Sequence, residues 1–436
     1  MRTTPDRLML VSSTEGRQWR RRTVARGMPR GGSDLLVTGE EKQRWRGFGG
    51  CFNELGWIAL SGLPSRLRKA ALDALFHPAT GCAFNLCRLP IGASDYALDW
   101  YSHDETPGDY SLRRFSIERD RRCLIPYIRE GLKRRPDMEL FASPWSPPTW
   151  MKNPPVYNYG TLVWEDRVLR AYAMYFARFV REYLREGIRI SQVHVQNEPL
   201  ADQKFPSCLW SGEKLRDFIR DYLGPCFRKE KTECEIWLGT LNTDDHYGYA
   251  HRVLSDPAAA SFIRGVGYQW AGKGAIQRTR MAWPDIPLMQ TENECGDGRN
   301  TWDYAMYVFS LMQHYITNGV AAYVYWNMVL PPGGRSTWGW SQNAMITADA
   351  ERGRIVLNPE FYVMKHLSAF VKPGAAVLRL EGPWSAMSVG FRNPDGSLVV
   401  GIGNMLCDRQ VLHLEWEGGG AELDLDPRSV NTVVLG

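Results

Sequence analysis

Residues 320–326 spell Val-Ala-Ala-Tyr-Val-Tyr-Trp, a run in which every side chain is apolar or aromatic. A strand with one face in water alternates apolar and polar side chains, whereas an unbroken run of this length is typical of a parallel strand covered on both faces. We therefore predict a buried strand at 320–326 and, from it, an α/β fold.

Seven similar runs precede this one, and stretches with helical periodicity lie between them. The eight predicted strands are 46–51, 82–90, 138–142, 192–196, 235–241, 265–270, 287–291 and 320–326. The predicted helices with the clearest patterns are 116–134, 167–187 and 301–317. Eight alternating strand–helix units predict a closed (β/α)8 barrel, the TIM-barrel architecture.

Both ends of the chain have the pattern of an antiparallel sheet. Short strand-like runs lie at 8–12, 19–24, 377–380, 386–391, 398–402, 411–416 and 432–435. We predict that segments 1–44 and 373–436 together form a side β-sandwich beside a barrel of residues 45–372. No Ser/Gly-rich linker separates these parts, so rigid packing is expected.

Composition excludes several classes of function. The 436 residues carry a net charge of +5, which gives no indication of nucleic-acid binding, and the run Arg20-Arg21-Arg22 is interpreted as a solvated strand face in preference to a polyanion site. No run approaches the roughly 18 apolar residues of a membrane span.

The nine cysteines form no CxxC motif and residues 1–11 lack the apolar core of a signal peptide, which predicts free thiols and a cytoplasmic location. Nothing in the sequence predicts an oligomeric state.

Polar and tryptophan side chains gather at the carboxyl ends of the predicted strands, where (β/α)8 barrels place their catalytic groups. The residues at these ends are Arg88, Asp95, Trp145, Asn197, Glu198, Tyr268, Trp270, Glu292 and Trp326. Sugars need this mixture, because their hydroxyl groups take directed hydrogen bonds while the C–H faces of a sugar ring pack on indole rings. We therefore predict a carbohydrate site at this end of the barrel.

Two glutamates stand out within that set. Glu198 lies in the segment Val-Gln-Asn-Glu-Pro, and Glu292 lies in Met-Gln-Thr-Glu-Asn. Two carboxyl groups that flank one bond are the catalytic groups of glycoside hydrolysis. The alternatives are that Glu198 caps a helix or forms a surface ion pair, that Glu294 takes the place of Glu292, and that one carboxyl serves only as a partner for Arg88. The two glutamates together, on predicted strands four and seven, indicate a glycosidase more specifically than either glutamate alone.

Two other functional classes compete with this interpretation. A metal-dependent hydrolase would use His103-Asp104-Glu105 or Asp244-Asp245-His246, but adjacent loop residues seldom all face one ion, which favours solvated loops. The glycine-rich segment 47–50 lacks the following Lys-Ser/Thr of a phosphate loop. We therefore predict no metal and no cofactor. A non-catalytic carbohydrate-binding barrel is the second alternative, and the intact glutamate pair argues against it.

Motifs along nearly the whole chain share one family pattern. They are Gly47-Phe-Gly-Gly-Cys-Phe52, Arg88-Leu-Pro-Ile-Gly92, Asp95-Tyr96, Ala142-Ser-Pro-Trp-Ser-Pro-Pro-Thr-Trp-Met-Lys152, Gln196-Asn-Glu-Pro199, Thr291-Glu292, Trp326-Asn-Met-Val-Leu330, Gly333-Gly334, residues 361–368 and Lys372-Pro-Gly374. Together they resemble glycoside hydrolase family 30 of clan A, the family of glucosylceramidases and β-1,6-glucanases.

The resemblance implies a (β/α)8 barrel with a side β-sandwich, and hydrolysis of a β-linked carbohydrate with retention of configuration. Carried over residue by residue, it makes Glu198 the general acid/base and Glu292 the nucleophile. It also implies that Asn197 holds the sugar 2-hydroxyl and that Arg88 supports the nucleophile. The implied glycone subsite is lined by Asp95, Trp145 and Trp326.

The chain departs from the family pattern after strand six. Relatives carry a tyrosine directly after the strand-six tryptophan, whereas Trp270 is followed by Ala271. Tyr268 shares a strand face with Trp270 by the two-residue period of a strand, which makes it a candidate to substitute, and the sequence leaves open whether it does. The loop 338–343 also differs.

The expected substrate class is therefore broad: an exo-acting β-glucosidase, glucosylceramidase-like or β-xylosidase-like enzyme on oligosaccharides, with an endo-β-1,6-glucanase as the alternative.

Overall fold

The computed structural model describes residues 7–27 and 32–436. Its strands are β1 Arg7–Thr14, β2 Arg17–Ala25, β3 Leu35–Arg44, β4 Gly47–Cys51, β5 Leu86–Ile91, β6 Glu139–Pro144, β7 Lys152–Asn153, β8 Thr161–Leu162, β9 Gln192–His194, β10 Glu235–Leu241, β11 Ile263–Gln269, β12 Leu288–Glu292, β13 Val320–Asn327, β14 Val329–Leu330, β15 Ile346–Asp349, β16 Arg354–Leu357, β17 Ala376–Glu381, β18 Ser388–Arg392, β19 Leu398–Asn404, β20 Gln410–Trp416, β21 Gly419–Leu425 and β22 Ser429–Leu435. Its α-helices are α1 Glu54–Ser61, α2 Ser65–Phe76, α3 Leu124–Arg134, α4 Asp166–Arg185, α5 Gly212–Phe218, α6 Gly224–Glu230, α7 Arg252–Leu254, α8 Pro257–Ala260, α9 Ile276–Ala282, α10 Trp302–Thr317 and α11 Pro359–Ser368.

Eight strands close into a parallel barrel in the order β4, β5, β6, β9, β10, β11, β12 and β13, with β13 paired to β4. The predicted (β/α)8 barrel is therefore confirmed. Most strand boundaries differ from the predicted ones by no more than two residues, and the largest error is at β5, which begins at Leu86 instead of residue 82. The amides of Cys82 and Phe84 donate instead to the carbonyls of Ala74 and Leu75 at the end of α2, so this segment closes a helix before the strand starts.

The glycine-rich start of the barrel is explained by packing. A Cβ atom at Gly49 would lie 1.6 Å from the carbonyl oxygen of Leu86, so β4 can approach β5 only because this position has no side chain. The barrel interior next to it is apolar towards the amino ends of the strands. It is filled by Leu86, Phe141, Trp237, Met289, Ala322 and Val324.

His194 belongs to this packed interior. Its ring stacks on Trp237 with 5.4 Å between the ring centroids. Burial lowers the pKa of His194 well below its ordinary value, so the ring is neutral at physiological pH.

The helices around the barrel match the predictions except at one end. α4 and α10 bury an apolar stripe, as their periodicity predicts. The helix predicted over 116–134 is wrong in its first part, because α3 begins at Leu124. The reason is Asp120, a buried carboxylate that accepts hydrogen bonds from Tyr101 and Tyr183, each at 2.6 Å. These contacts hold the preceding segment in an irregular conformation.

The two ends of the chain form one nine-stranded sheet in the order β2, β1, β22, β19, β18, β17, β3, β20 and β21. Its edge strands meet, since the amide of Gly27 donates to the carbonyl of Gly420 at 3.0 Å. The sheet thus curls around its own apolar core, which includes Leu10, Leu35, Ile402, Leu414 and Val433. The predicted side β-sandwich is confirmed, although β3 and β21 were not among the predicted strands.

The sandwich shares a second core with the barrel. Trp45 is buried at the junction, and its ring lies 4.6 Å from Phe48 and 5.6 Å from Phe391, measured between centroids. The backbone of Trp45 also pairs with Gly374 and Ala375, at 2.8 Å and 2.7 Å. Apolar contacts and hydrogen bonds together fix the sandwich against the barrel.

Within the described ranges, no helix is both long and apolar enough to cross a membrane. All nine cysteines lie in these ranges, and their thiols are free.

Candidate active site

The guanidinium group of Arg88 is the centre of the site. It is fully buried and donates to Glu292 Oε2 at 2.7 Å and to Asn197 Oδ1 at 2.6 Å. A third bond goes to Ser143 Oγ at 2.7 Å, and the ring of Trp145 covers the guanidinium at 4.5 Å. A buried cation is costly unless it is paired, so this arrangement favours an ionised Glu292.

The side chain of Gln269 joins the two glutamates. Its Nε2 atom lies 3.0 Å from Glu198 Oε1 and 3.3 Å from Glu292 Oε2. Because both contacts meet at one nitrogen, these two oxygen atoms are at most the sum of the two lengths apart, about 6.3 Å. The two carboxyl groups that the sequence places 94 positions apart therefore lie side by side.

Two residues of the site have backbone conformations that are rare outside glycine. Glu198 and Trp270 each have a φ angle of +48°. Left-handed conformations cost non-glycine residues about 1–3 kcal/mol and cluster at functional sites. At Trp270 the left-handed conformation has a clear structural result: the chain leaves the strand at this residue, and the indole Nε1 donates to Glu292 Oε1 at 3.3 Å.

The two carboxyl groups have different proton affinities for physical reasons. Burial raises the pKa of Glu198 to about 8, and the negative charge of Glu292 adds to the rise. Burial also raises the pKa of Glu292, but Arg88, Trp270 and Gln269 oppose that rise. The ion pair of Arg88 is with Glu292. At neutral pH the pair therefore holds its proton on Glu198, which gives one carboxylic acid beside one carboxylate.

Asn197 is held by three donors. Its Oδ1 accepts from Arg88 Nη2 at 2.6 Å, from Thr240 Oγ1 at 3.1 Å and from Gln269 Nε2 at 3.1 Å. This leaves the Nδ2 hydrogens of Asn197 for a ligand.

A cavity of about 300 Å³ opens above these groups, with walls that include Asp95, Trp145, Phe205, Trp270, Trp340 and both glutamates. Asp95 is buried and its Oδ1 has no hydrogen-bond partner. Burial and the charges of Glu292 and Glu198 raise the pKa of Asp95 well above its ordinary value. The indole Nε1 of Trp326 is likewise buried without a partner, beside Trp145. Buried polar atoms normally have partners, so these two atoms mark positions where a bound ligand would complete the hydrogen bonding.

The structure brings together eight of the nine predicted site residues and excludes Tyr268. Its phenol oxygen lies 2.5 Å from Thr279 Oγ1, in the layer between the barrel and the helices. Gly265, Gly267 and Gln269 are the inward positions of β11, so Tyr268 points outward. Tyr268 therefore does not take the place of the missing tyrosine. The expectation that Tyr268 and Trp270 share a strand face assumes that Trp270 continues the strand, whereas β11 ends at Gln269 and the backbone of Trp270 is left-handed.

The rim of the cavity is tied together by Lys152. Its buried ammonium group donates to Ser146 Oγ at 3.0 Å, to the carbonyl of Tyr157 at 2.9 Å and to the carbonyl of Ser207 at 2.6 Å. These bonds connect the loop after β6 with the loop after β9, which carries the cavity residue Phe205.

The side chains considered for a metal site point to separate partners. Glu105 accepts from the amide of Thr149 at 3.1 Å, whereas His103 lies against Asp120 and its neighbouring rings. His246 contacts Thr279 at 3.1 Å. In the part of the chain that the structure describes, no three His, Cys, Asp or Glu side chains are grouped so that they could hold an ion.

A larger cavity, of about 870 Å³, lies at the opposite end of the barrel. Its charged lining is partly neutralised within the protein, since Arg46 pairs with Glu139 at 2.9 Å. Catalytic groups of (β/α)8 barrels lie at the other face, where the glutamates are.

An acid–carboxylate pair at the carboxyl end of a (β/α)8 barrel, under tryptophan walls, defines the glycosidases as the class of this protein. Residues 45–371 match the glycosyl hydrolase family 30 TIM-barrel domain. The chain belongs to this family and is therefore a glycosidase that hydrolyses O-glycosyl bonds in a carbohydrate substrate.

Individual relatives agree with this assignment. Lysosomal acid glucosylceramidase of Mus musculus is 30% identical over 427 residues, which cover 90% of this chain and 82% of that protein. Endo-1,6-beta-D-glucanase of Neurospora crassa is 28% identical over 403 residues, covering 87% and 82%. The crystal structure of SrfJ from Salmonella typhimurium superimposes with a TM-score of 0.91 at 27% identity, covering 98% of this chain and 99% of that one.

Sequence analysis missed three residues whose side chains contact Arg88, Asn197 and Glu198. They are Ser143, Thr240 and Gln269. All three are neutral, and only Ser143 lies within one of the family motifs quoted above. The one available signal was their position near strand ends, which many structural residues share.

Behind the site, Glu360 supports the loop that follows β12. It accepts from Asn343 Nδ2 at 2.6 Å, and Asn343 Oδ1 accepts from the amides of Gly298 and Asn300 at 2.8 Å and 3.2 Å. The second carboxyl oxygen of Glu360 is buried without a partner. Burial raises the pKa of Glu360 from 4.5 to about 8.

This burial predicts that the protein loses stability as the pH rises. The unfolded chain releases the Glu360 proton near pH 4.5, whereas the folded chain keeps it to about pH 8. Within that window the folded state binds more protons, so the free energy of unfolding falls with increasing pH. Glu360→Gln, which has no proton to lose, is expected to raise the melting temperature relative to wild type at pH 8 but not at pH 4.5, by a few degrees (about 1–4 °C).

Differential scanning fluorimetry at the two pH values measures this effect. The control is Glu417→Gln at an exposed position, which is expected to follow the wild-type pH dependence. An unchanged pH dependence in Glu360→Gln would contradict the prediction.

Proposed function

We propose that this protein is a retaining β-glycosidase that removes one β-D-glucosyl unit from the end of an oligosaccharide. The observation that carries the proposal is the asymmetric pair: Gln269 contacts both glutamates, while Arg88 pairs with Glu292. One carboxyl is thereby kept as an acid and the other as a nucleophile.

The first step uses both groups at once. Glu292 Oε2 is held by Arg88, and Oε1 has one longer bond from Trp270, so Oε1 is the atom proposed to attack the anomeric carbon. Glu198 Oε1 accepts from Gln269, which leaves Oε2 to carry the proton that passes to the departing oxygen. The glycosidic bond breaks and a glycosyl ester of Glu292 forms.

The second step reverses the roles. Once Glu292 is esterified it has no negative charge, so the ionised Glu198 can take a proton from water, and that water displaces the ester at the anomeric carbon. Two inversions give net retention. The shared contact with Gln269 supports this route, because retaining enzymes hold their two carboxyl groups close together whereas inverting enzymes leave room for a water molecule between them.

The size of the cavity supports cleavage at a chain end. Its volume of about 300 Å³ is at the lower limit of ligand pockets, which is roughly 300 Å³. Asp95 lines this cavity and presents an unpartnered oxygen atom for a hydroxyl of the bound ring. Glucose is the proposed glycone because the names of the mouse and Neurospora relatives both specify a glucosyl bond. Xylose lacks only the hydroxymethyl group and is the closest competitor.

An endo-β-1,6-glucanase is the second candidate, and the Neurospora relative favours it. An endo-enzyme needs a cleft that continues past the catalytic pair in both directions. The two candidates predict different first products from a linear β-1,6-glucan: glucose alone for the exo-enzyme and a range of oligosaccharides for the endo-enzyme.

The experiment begins with aryl β-D-glycosides of glucose, xylose, galactose and fucose. We expect the highest kcat/KM for the glucoside. Proton NMR of the first-formed sugar is expected to show the β-anomer, which then mutarotates, and an initial α-anomer would rule out retention. The product size from β-1,6-glucan decides between the two candidates.

A further inference from the structure

The amide of Gln269 has a fixed orientation inside the barrel. Its side chain is fully buried, and its Oε1 accepts from Arg88 Nη1 at 3.3 Å and from Thr291 Oγ1 at 3.0 Å. A guanidinium group can only donate, so a flipped amide would set two donors against each other. Nε2 must therefore face the glutamates.

Nε2 has two hydrogen atoms and three acceptors within reach. These are Asn197 Oδ1 at 3.1 Å, Glu198 Oε1 at 3.0 Å and Glu292 Oε2 at 3.3 Å. The contacts compete for the two hydrogen atoms, and a charged acceptor attracts a hydrogen more strongly than a neutral one.

We propose that Gln269 is a positioning residue that donates to whichever of Glu198 and Glu292 is ionised at each stage of the reaction. This inference rests on the proposed double displacement. Before attack the carboxylate is Glu292, and after glycosylation it is Glu198. The Nε2 group of Gln269 lies between the two glutamates and can donate to either of them, while the hydrogen bonds of its Oε1 atom stay unchanged.

Other side-chain types could not do this. A carboxyl group at position 269 would add a third acid to the pair, and an ammonium group would add a second permanent cation beside Arg88. An amide has donors and no titrating proton near neutral pH, so it stabilises either charge and takes no part in the proton transfer itself.

Several ionisable groups surround the pair and contribute to its titration. Cys51 lies on β4, Arg88 on β5 and Glu292 on β12, whereas Asp95, Glu198 and Cys295 lie in the segments that follow β5, β9 and β12. None of these residues is substituted in the variants below. Gln269→Met removes the acceptor of Arg88 and Thr291 together with the donor, so its effect on each glutamate is compared with that of Trp270→Phe.

Two variants test the inference together. Gln269→Met keeps the length of the side chain and removes the donor to both glutamates. Trp270→Phe removes only the indole donor to Glu292. Losing a donor to a carboxylate raises the pKa of that carboxylate.

The pH profile of kcat/KM separates the two cases. Glu292 must be ionised for attack, so its titration is the acid limb, and Glu198 must be protonated, so its titration is the alkaline limb. Trp270→Phe is expected to move the acid limb alone to higher pH. Gln269→Met is expected to move both limbs to higher pH by about one unit each, which corresponds to a tenfold change in proton affinity.

A second readout isolates the later stage. A 2-deoxy-2-fluoro glucoside traps the glycosyl ester on Glu292, and the pH dependence of reactivation then reports Glu198 alone. Reactivation of Gln269→Met is expected to be about tenfold to a hundredfold slower than wild type at pH 7 and to shift to higher pH. Gln269→Asn, which keeps an amide but is too short to reach both groups, is expected to shift in the same direction and replaces the Met variant if that one fails to fold.

The outcomes are distinct. Movement of only one limb in Gln269→Met, or an unshifted reactivation profile, overturns the inference while the wild type still releases the β-anomer. A wild type that releases the α-anomer first overturns the proposed function instead.

Discussion

Replacing Glu292 with glutamine is expected to abolish turnover of every β-glycoside, including aryl glycosides with good leaving groups. The amide cannot form the glycosyl ester, and no other carboxylate lies against Arg88 in the described residues to take its place. The expected loss in kcat is at least about 10⁴-fold, in line with removal of nucleophiles from other covalent enzymes. The variant also leaves the buried guanidinium of Arg88 without an anionic partner, so a lower melting temperature is expected as well.

The measurement is kcat on a dinitrophenyl β-glucoside at pH 6 and pH 8, with circular dichroism to verify the fold. Glu294→Gln is the matched control, because this carboxyl lies two residues away and pairs with Lys273 at 2.7 Å and Tyr307 at 2.9 Å. It is expected to lose less than about tenfold, since an exposed or half-exposed ion pair contributes little. Full activity in a folded Glu292→Gln would remove Glu292 as the nucleophile.

Replacing Glu198 with glutamine is expected to separate substrates by their leaving groups. A disaccharide needs a proton on its departing oxygen, and loss of the acid is expected to cost about 10²–10⁴-fold in kcat/KM. A dinitrophenolate needs no proton, so the first step on that substrate is expected to stay close to wild type. The second step still lacks its base, so the glycosyl ester accumulates.

Two measurements test this prediction. A stopped-flow trace is expected to show a burst of dinitrophenolate followed by slow turnover. Added azide needs no base to attack, and it is expected to accelerate turnover and give the β-glucosyl azide. An equal loss on the disaccharide and the dinitrophenyl substrate would contradict an acid/base role for Glu198.

The barrel could be predicted from sequence because its strands are covered on both faces. Continuous apolar runs such as 320–326 are recognisable without any neighbour. β3 could not be recognised, because five of its ten residues are exposed and its last six residues are Gly-Glu-Glu-Lys-Gln-Arg. It is a strand because β17 and β20 pair with it on either side, and that pairing is a tertiary effect.

The active site could be predicted only as far as charge and strand position go. Glu198, Glu292 and Arg88 are ionisable residues at the ends of buried strands, where such residues are recognisable in the sequence. The structure places them together. The sequence suggested Tyr268 as the residue beside Trp270 in the site, whereas the residue there is Gln269. The difference arises at Trp270, whose left-handed φ angle interrupts the alternation of side chains along the strand. The alternation of side chains along a strand does not predict the residue at which the strand ends.

The position of β22 has a consequence for synthesis on the ribosome. This strand, the last of the chain, inserts between β1 and β19, so Leu10 pairs with Val433. At about 5–20 residues per second, β1 precedes its partner by roughly 20–80 s, during which the whole barrel is translated. A chain terminated before residue 429 would present two open strand edges in the middle of the sheet. Loss of residues 429–436 is therefore expected to send the nascent protein to aggregation or proteolysis, although all the residues that line the active-site cavity have already been made.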